Sequence, residues 1–352
     1  MPHDRDLVER ILAEARAYVL EEIVQILESN RATGYGPLYE LLADYPFREG
    51  KGLRPAIVIS AAAAAGGTRD QARVSAAALE LYHNAFLVHD DVEDQSDYRR
   101  GRVTMLRSHG AAVAVNVGDA TNVLAMQLLL RNTETIGLQK TLLVFREVER
   151  MARESVEGQA IELGWIAAGQ FELGDEDYVR MAHKKTCWYT VIAPLRIGVL
   201  CGHPPGVGFP LPEELLPLVE LGHLAGIAFQ VSDDLLNLEA DQILYGKEIG
   251  GDLWEGKRTI MLLHFLRTAS QPTVERAIGI LETPRTQKEA EDVAWMFGAM
   301  AETGSLEYGR RFARDYAERA LEADASPIAF LRDNDDRRFL REMLSYVVER
   351  VK

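Results

Sequence analysis

The chain has 352 residues, a formal net charge of -15 and two cysteines, Cys187 and Cys201. That acidity excludes a phosphate-backbone binder working through a general positive field, so nucleic acid is not an expected partner and any bound phosphate must meet locally placed cations. The cysteines form neither a CxxC pair nor a metal-like spacing and are expected as reduced core thiols in a cytoplasmic protein.

The opening MPHDRDLVERILAEA is charged and amphipathic rather than basic-then-apolar. No stretch reads as approaching the ~18 apolar residues of a membrane span, so neither a leader nor a span is expected. From 7 to 27 apolar residues recur at three- and four-residue intervals, the period of an amphipathic helix. The same period predicts helices over 72–89, 111–131, 141–168, 213–238, 257–268, 287–303, 306–323 and 337–350. The alanine run at 61–65 is strong helix former, and the proline-rich break GHPPGVGFPLP at 202–212 reads as a loop. Alternating strand-like runs are scarce, so the expectation is an all-α, single-domain helical bundle over residues 1–352.

The helix predicted to end near 89 runs into HDDVEDQSDYRRG, which crowds Asp90, Asp91, Glu93, Asp94 and Asp97 into eight residues. On a continuing helix Asp90 and Asp94 stack one turn apart, with Asp91 about 100° around. At ~5 Å two such charges repel by roughly 3 kcal/mol at an effective dielectric near 20, which a cleft tolerates only with cations. Hard divalent ions with oxygen ligands meet that demand, and Mg2+ typically takes one or two carboxylates plus substrate phosphates. One DDxxD by itself reads best as a solvated helix end. A second pattern, Asp233, Asp234 and Asn237 in FQVSDDLLNL at 229–238, sits on another apolar helical segment. Two such faces opposed across a bundle make a pocket for several metal ions and a polyphosphate.

With both patterns in view the sequence resembles the trans-isoprenyl diphosphate synthases, the polyprenyl synthetase family. The resemblance runs in order through GKGLRP (50–55), LVHDDVED with RRG (87–101), NVGD (116–119), GQ (158–159), KT (185–186), FQVSDD (229–234), GKEIGGDLWEGKRT (246–259) and LREMLSYVVER (340–350). It implies a helical bundle of isoprenoid synthase type around a deep central cavity. It also implies Mg2+ as cofactor, with Asp90, Asp91, Asp94, Asp233, Asp234 and Asn237 as ligands, and a homodimer. Lys51, Arg54, His83 and Arg100 look like the family's site for isopentenyl diphosphate. Arg99, Lys185, Lys247 and Lys257 resemble its contacts to the allylic diphosphate. Thr186 and Gln230 look like the polar residues whose dipoles face the reacting allyl group. Taken singly, each basic residue reads as an ordinary surface side chain.

The implied reaction is metal-assisted ionisation of the allylic diphosphate, attack by the isopentenyl double bond and loss of one proton. In the resembling family, bulk just before the first aspartate limits product length, so Tyr82, Ala85 and Phe86 are expected to form the floor. At 1.5 Å per residue Phe86 lies ~6 Å and Tyr82 ~12 Å below Asp90. A small Ala85 beside a large Phe86 favours geranylgeranyl over farnesyl diphosphate.

Asn237 stands where the family usually has aspartate and Gly52 where it often has arginine, departures that weaken one metal ligand and remove one cation. Two rivals are a class I terpene cyclase, which needs no isopentenyl site, and a non-catalytic partner subunit, which tolerates broken aspartate motifs. A calcium-loop protein ranks last, because neither acidic run has DxDxDG spacing.

Overall fold

The computed structural model describes residues 4–204, 215–239, 250–323, 328 and 330–349, with side chains described through Met343. Helix α1 (Arg5–Thr33) starts where the Asp4 side chain accepts from the Leu7 backbone N–H, and its apolar stripe from Leu7 to Leu27 is buried. Short helices α2 (Gly36–Leu42) and α3 (Asp44–Phe47) lead to α4 (Leu53–Ala64), which is buried on nearly every side. Helix α5 (Arg69–Glu93) opens on a capping box between Thr68 and Gln71 and runs unbroken into the first acidic motif.

Past that motif the chain reverses in a two-stranded antiparallel ribbon, β1 (Tyr98–Arg99) and β2 (Arg102–Val103), pairing Tyr98 with Val103 and Arg99 with Arg102. Arg100 and Gly101 form its turn at φ 53 and 71, the doubly positive pattern of a type I′ hairpin. Helices α6 (Met105–His109), α7 (Ala111–Thr135) and α8 (Gly137–Ala167) follow, and α7 packs along α5.

Helix α9 (Asp175–Ala182) passes into a ten-residue π-helix (His183–Ile192) and then α10 (Ala193–Gly202). All ten residues of α10 are buried, so it lacks the polar face that periodicity detects, and the sequence analysis missed it. Helix α11 (Leu216–Glu239) carries the second acidic motif. Beyond it lie α12 (Gly251–Glu255), α13 (Ile260–Thr268), α14 (Gln271–Glu282), α15 (Ala290–Glu302), α16 (Ser305–Ala323) and α17 (Asp335–Glu349).

Two apolar cores hold these helices. One gathers α1, α4, α5, α7 and α10, and the other gathers the π-helix, α11, α13, α15 and α16; Tyr316 packs on both. Fully buried Trp188, Tyr178 and Phe265 belong to the second, each worth roughly 2–3 kcal/mol against exposure. Cys187 and Cys201 are free and buried, as expected.

One expectation needs correction. Ala111–Thr135 is long and apolar enough to cross a membrane by length and composition, and 44% of its most apolar stretch is buried within the protein.

Candidate active site

The first motif occupies the last turn of α5, where unpaired carbonyls already concentrate partial negative charge. Carboxylates there are doubly disfavoured, and the structure answers with buried cations. Arg99 donates from Nη2 to Asp90 Oδ2 at 2.9 Å and from Nε to Asp91 Oδ1 at 2.7 Å. Asp91 is 0% exposed and accepts a second bond from the Tyr45 hydroxyl at 2.5 Å. Both Asp91 oxygens are thus engaged with protein in a fully buried carboxylate, whereas Asp90 is half-buried.

Lys257 Nζ donates to Asp94 Oδ2 at 2.6 Å and to Glu255 Oε2 at 2.6 Å, and lies 3.8 Å from Asp252 Oδ1. Lys185 Nζ is paired with Glu162 and stands 3.9 Å from Asp90 Oδ1. Burial alone would lower both lysines, but the surrounding carboxylates outweigh it and hold them charged. Asp94 is pushed up to about 7 by burial and by the Asp90 charge, against the pull of Lys257.

On α11, Asp234 accepts from the Tyr178 hydroxyl at 2.7 Å and from Gln230 Nε2 at 2.6 Å, while Thr186 on the π-helix donates to Gln230 Oε1 at 2.5 Å. Burial raises Asp234 to about 7, with those two bonds opposing. Asp233 is half-buried beside it. The Asn237 oxygen accepts from the Asp252 backbone N–H at 3.0 Å, near the start of α12. Lys257 near Asp252, and Ser96 donating to Glu255 at 3.3 Å, draw the two motifs to one side of the protein.

The π-helix approaches α8 at Gly158, where a Cβ would fall 2.2 Å from the Lys185 backbone nitrogen. That contact gives the GQ pair a steric reason, and Gln159 donates to Glu93 Oε2 at 2.6 Å.

A second cationic group lies beside the first. Arg100 reaches His83 Nε2 at 3.2 Å, and its guanidinium is 3.1 Å from where a Cβ on Gly50 would stand. Arg54 donates to Thr190 Oγ1 at 2.8 Å, stacks 4.3 Å from the Tyr189 ring centroid, and keeps Nε buried without a hydrogen-bond partner. Lys51 is exposed at the head of α4. Burial lowers Arg100, and although Glu80 opposes this, Arg54, Arg99 and Arg16 lower it further, the mark of cations gathered for an anion.

Gly52, at φ 66, has no room for the arginine of related motifs, since a Cβ would stand 2.8 Å from Arg16 Cβ. Tyr82 and Ala85 are buried, and the half-buried Phe86 ring lies 6.3 Å from Tyr82 and 5.8 Å edge-on from Tyr189. Lys247 lies outside the described residues.

Sequence reasoning missed several neighbours. Arg48 donates to the carbonyls of Arg99 at 3.0 Å and Val103 at 2.8 Å, fixing the hairpin, and Tyr45, Glu162, Tyr178, Tyr189 and Glu255 complete the site. Of these, Glu255 lies in the GKEIGGDLWEGKRT stretch at 246–259 without having been singled out, and the others carried nothing that separates them from ordinary helix residues.

An all-helical frame with two acidic motifs drawn together by lysines, beside a separate cationic pocket, defines an isoprenoid-synthase type of site. The Polyprenyl synthetase family model matches residues 37–300. The chain is 34% identical over 274 residues to an octaprenyl diphosphate synthase of Escherichia coli, covering 78% of this chain and 79% of that one. It is 30% identical over 301 residues to a short chain isoprenyl diphosphate synthase of Methanothermobacter thermautotrophicus, covering 86% of each. A polyprenyl synthase structure from Caulobacter crescentus, complexed with calcium and isoprenyl diphosphate, superposes with a TM-score of 0.81 at 28% identity, over 100% of this chain and 99% of that one. The chain belongs to the polyprenyl synthetase family and is a prenyltransferase.

Proposed function

We propose that this chain condenses isopentenyl diphosphate with an allylic diphosphate to give geranylgeranyl diphosphate, using Mg2+. The observation that carries this reading is the pair of adjacent cationic groups, one wired to acidic motifs and one not. Two diphosphates with different fates need those two settings, whereas a cyclase needs only the first.

The donor set fits a hard divalent ion: it is all oxygen, and burial with like-charge repulsion raises Asp94, a penalty that a bound cation relieves. Asp90, Asp94 and Asp233 are the residues that would hold it, and when bound it supplies Lewis acidity toward a departing diphosphate. Lys185 and Lys257 add fixed positive charge along the same side. Asp91 orients Arg99, and Asp234 orients Gln230. The Thr186–Gln230 pair then turns its oxygen dipoles toward an allylic cation without a strong nucleophile. Arg54, Arg100, His83 and Lys51 hold the diphosphate that stays, which positions its double bond. The departing diphosphate takes the proton.

The Phe86 ring lies between Tyr82 and Tyr189, and its bulk one turn before Asp90 supports our reading of it as the floor for a twenty-carbon product. We further propose one domain, a cytoplasmic setting, α7 as a core helix and not a span, and a homodimer through the exposed α7 face of Val115, Val123, Met126 and Leu130. The test incubates the purified protein with Mg2+, labelled isopentenyl diphosphate and five-, ten- or fifteen-carbon allylic primers. Twenty-carbon product is expected, and no elongation of any primer would refute the reading.

A further inference from the structure

Behind the catalytic face of the π-helix lies a group of side chains that the condensation does not use. His183 and Cys187 stand four residues apart on the π-helix, and His223 faces them from α11. His183 Nδ1 and His223 Nδ1 are 3.0 Å apart, and one ligand atom from each of the three side chains falls within 4.8 Å of the others. Two imidazole nitrogens that close cannot both carry a proton, so at least one lone pair points into the gap. Cys187 is buried and His183 and His223 are half-buried, so the group is neither a loose surface cluster nor sealed core.

The two histidines open on a pocket of about 620 Å3, whose wall includes Asp175, Glu176 and Glu220 against a single arginine, Arg180. Nearby cations are otherwise engaged: Lys184 donates to Glu154 at 2.7 Å and Glu157 at 2.6 Å, and the Arg150 guanidinium stacks 4.3 Å from the Trp188 ring. Asp175 is itself paired with Arg267 at 2.6 Å, so Glu176 and Glu220 stand against Arg180 on this wall.

We infer that His183 Nδ1, His223 Nδ1 and Cys187 Sγ form a site for one borderline-soft divalent transition ion of the zinc class, with its fourth position open to the pocket. The donor chemistry selects the ion. Two imidazoles and a thiolate suit Zn2+ and Co2+ and disfavour Mg2+, which prefers the oxygen ligands of the acidic motifs. A tetrahedron with bonds near 2.0–2.3 Å spaces its ligand atoms ~3.3–3.8 Å apart, so binding spreads the two imidazole nitrogens slightly from 3.0 Å and draws the sulfur in from within 4.8 Å. The thiol proton leaves to solvent as the thiolate takes the metal.

The placement gives the site a consequence. His183 lies two residues before Lys185 and three before Thr186, and His223 lies two helical turns before Gln230. An ion held between them pins the π-helix to α11 at the level below the Thr186–Gln230 hydrogen bond.

The test adds Co2+ to the purified full-length chain in saturating Mg2+, which occupies the oxygen sites. One equivalent should bind, with tetrahedral d–d bands and a thiolate-to-cobalt absorption in the near ultraviolet, and Zn2+ should displace it and raise Tm. Cys187→Ser should abolish the thiolate absorption, and His183→Gln or His223→Gln should weaken binding by at least about tenfold. His183→Gln sits at the rim and guards against loss of fold in the buried Cys187 variant, with far-ultraviolet circular dichroism as the check. Absence of Co2+ binding in excess Mg2+, or a spectrum unchanged in Cys187→Ser and His223→Gln, would overturn the assignment.

Discussion

Lys257 donates to Asp94 across 2.6 Å, joining residues 163 positions apart and bringing the segment after the second acidic motif onto the first. The contact does not fully offset burial and the Asp90 charge, so Asp94 titrates at about 7, well above its ordinary 3.8. Because the folded value is raised, the proton favours the folded, metal-free protein; that contribution is complete below about 3.8 and is lost as pH rises through about 7. Metal binding displaces the same proton, so Mg2+ affinity should weaken by about tenfold per unit below pH 7. Calorimetric titration of Mg2+ between pH 5.5 and 8 checks this, and a flat profile would refute it.

Asp90 and Asp91 are adjacent and should fail differently. Asp90→Ala or Asp233→Ala should cut turnover by on the order of 100-fold or more, since the metal's Lewis acidity is worth several kcal/mol, with little change in Tm. Asp91→Ala strips Arg99 and Tyr45 of a buried partner and should cost about 3–5 kcal/mol of stability. Paired kinetics and thermal melts separate the two, and equal loss in both variants would remove the distinction.

The Phe86 ring lies between Tyr82 and Tyr189, and its removal opens space next to Ala85. Phe86→Ala should shift the product beyond twenty carbons at nearly unchanged initial rate. Chromatography of the prenyl alcohols after phosphatase treatment measures it; an unaltered distribution would place the floor elsewhere.

Installing the family's arginine at position 52 should harm this protein. Gly52 is left-handed, and any Cβ there meets Arg16 at 2.8 Å, so Gly52→Arg should cost roughly 1–3 kcal/mol. Chemical denaturation supplies the figure, and a gain in stability would contradict the packing described.

Among helices with one wet face α14 was missed, but α1, α5, α7, α8 and α11 were legible from periodicity and begin and end within six residues of where the spacing places them. Residues 175–202 were not, because α10 is buried all round and a π-helix breaks the 3.6 period. The two acidic motifs were legible as a pattern, since charge crowding is a local property, whereas the cations were named only through the resemblance to the family. Their division of labour was not. Asp91 looks like Asp90 in sequence, yet it is fully buried against Tyr45 from 46 residues away, and the bond from the Asp252 amide to the Asn237 carbonyl has no sequence signal either.

The Arg100–Gly101 turn reverses the chain in two residues, so that Arg99 bonds Asp90 and Asp91 while its neighbour Arg100 reaches His83, and consecutive arginines serve two adjacent groups. An added or deleted residue at that turn would break the pairing of Tyr98 with Val103 and of Arg99 with Arg102, and with it the geometry that sends the two arginines to different partners. Either group can therefore be retuned by exchanging side chains, whereas a change in the length of the turn disturbs both.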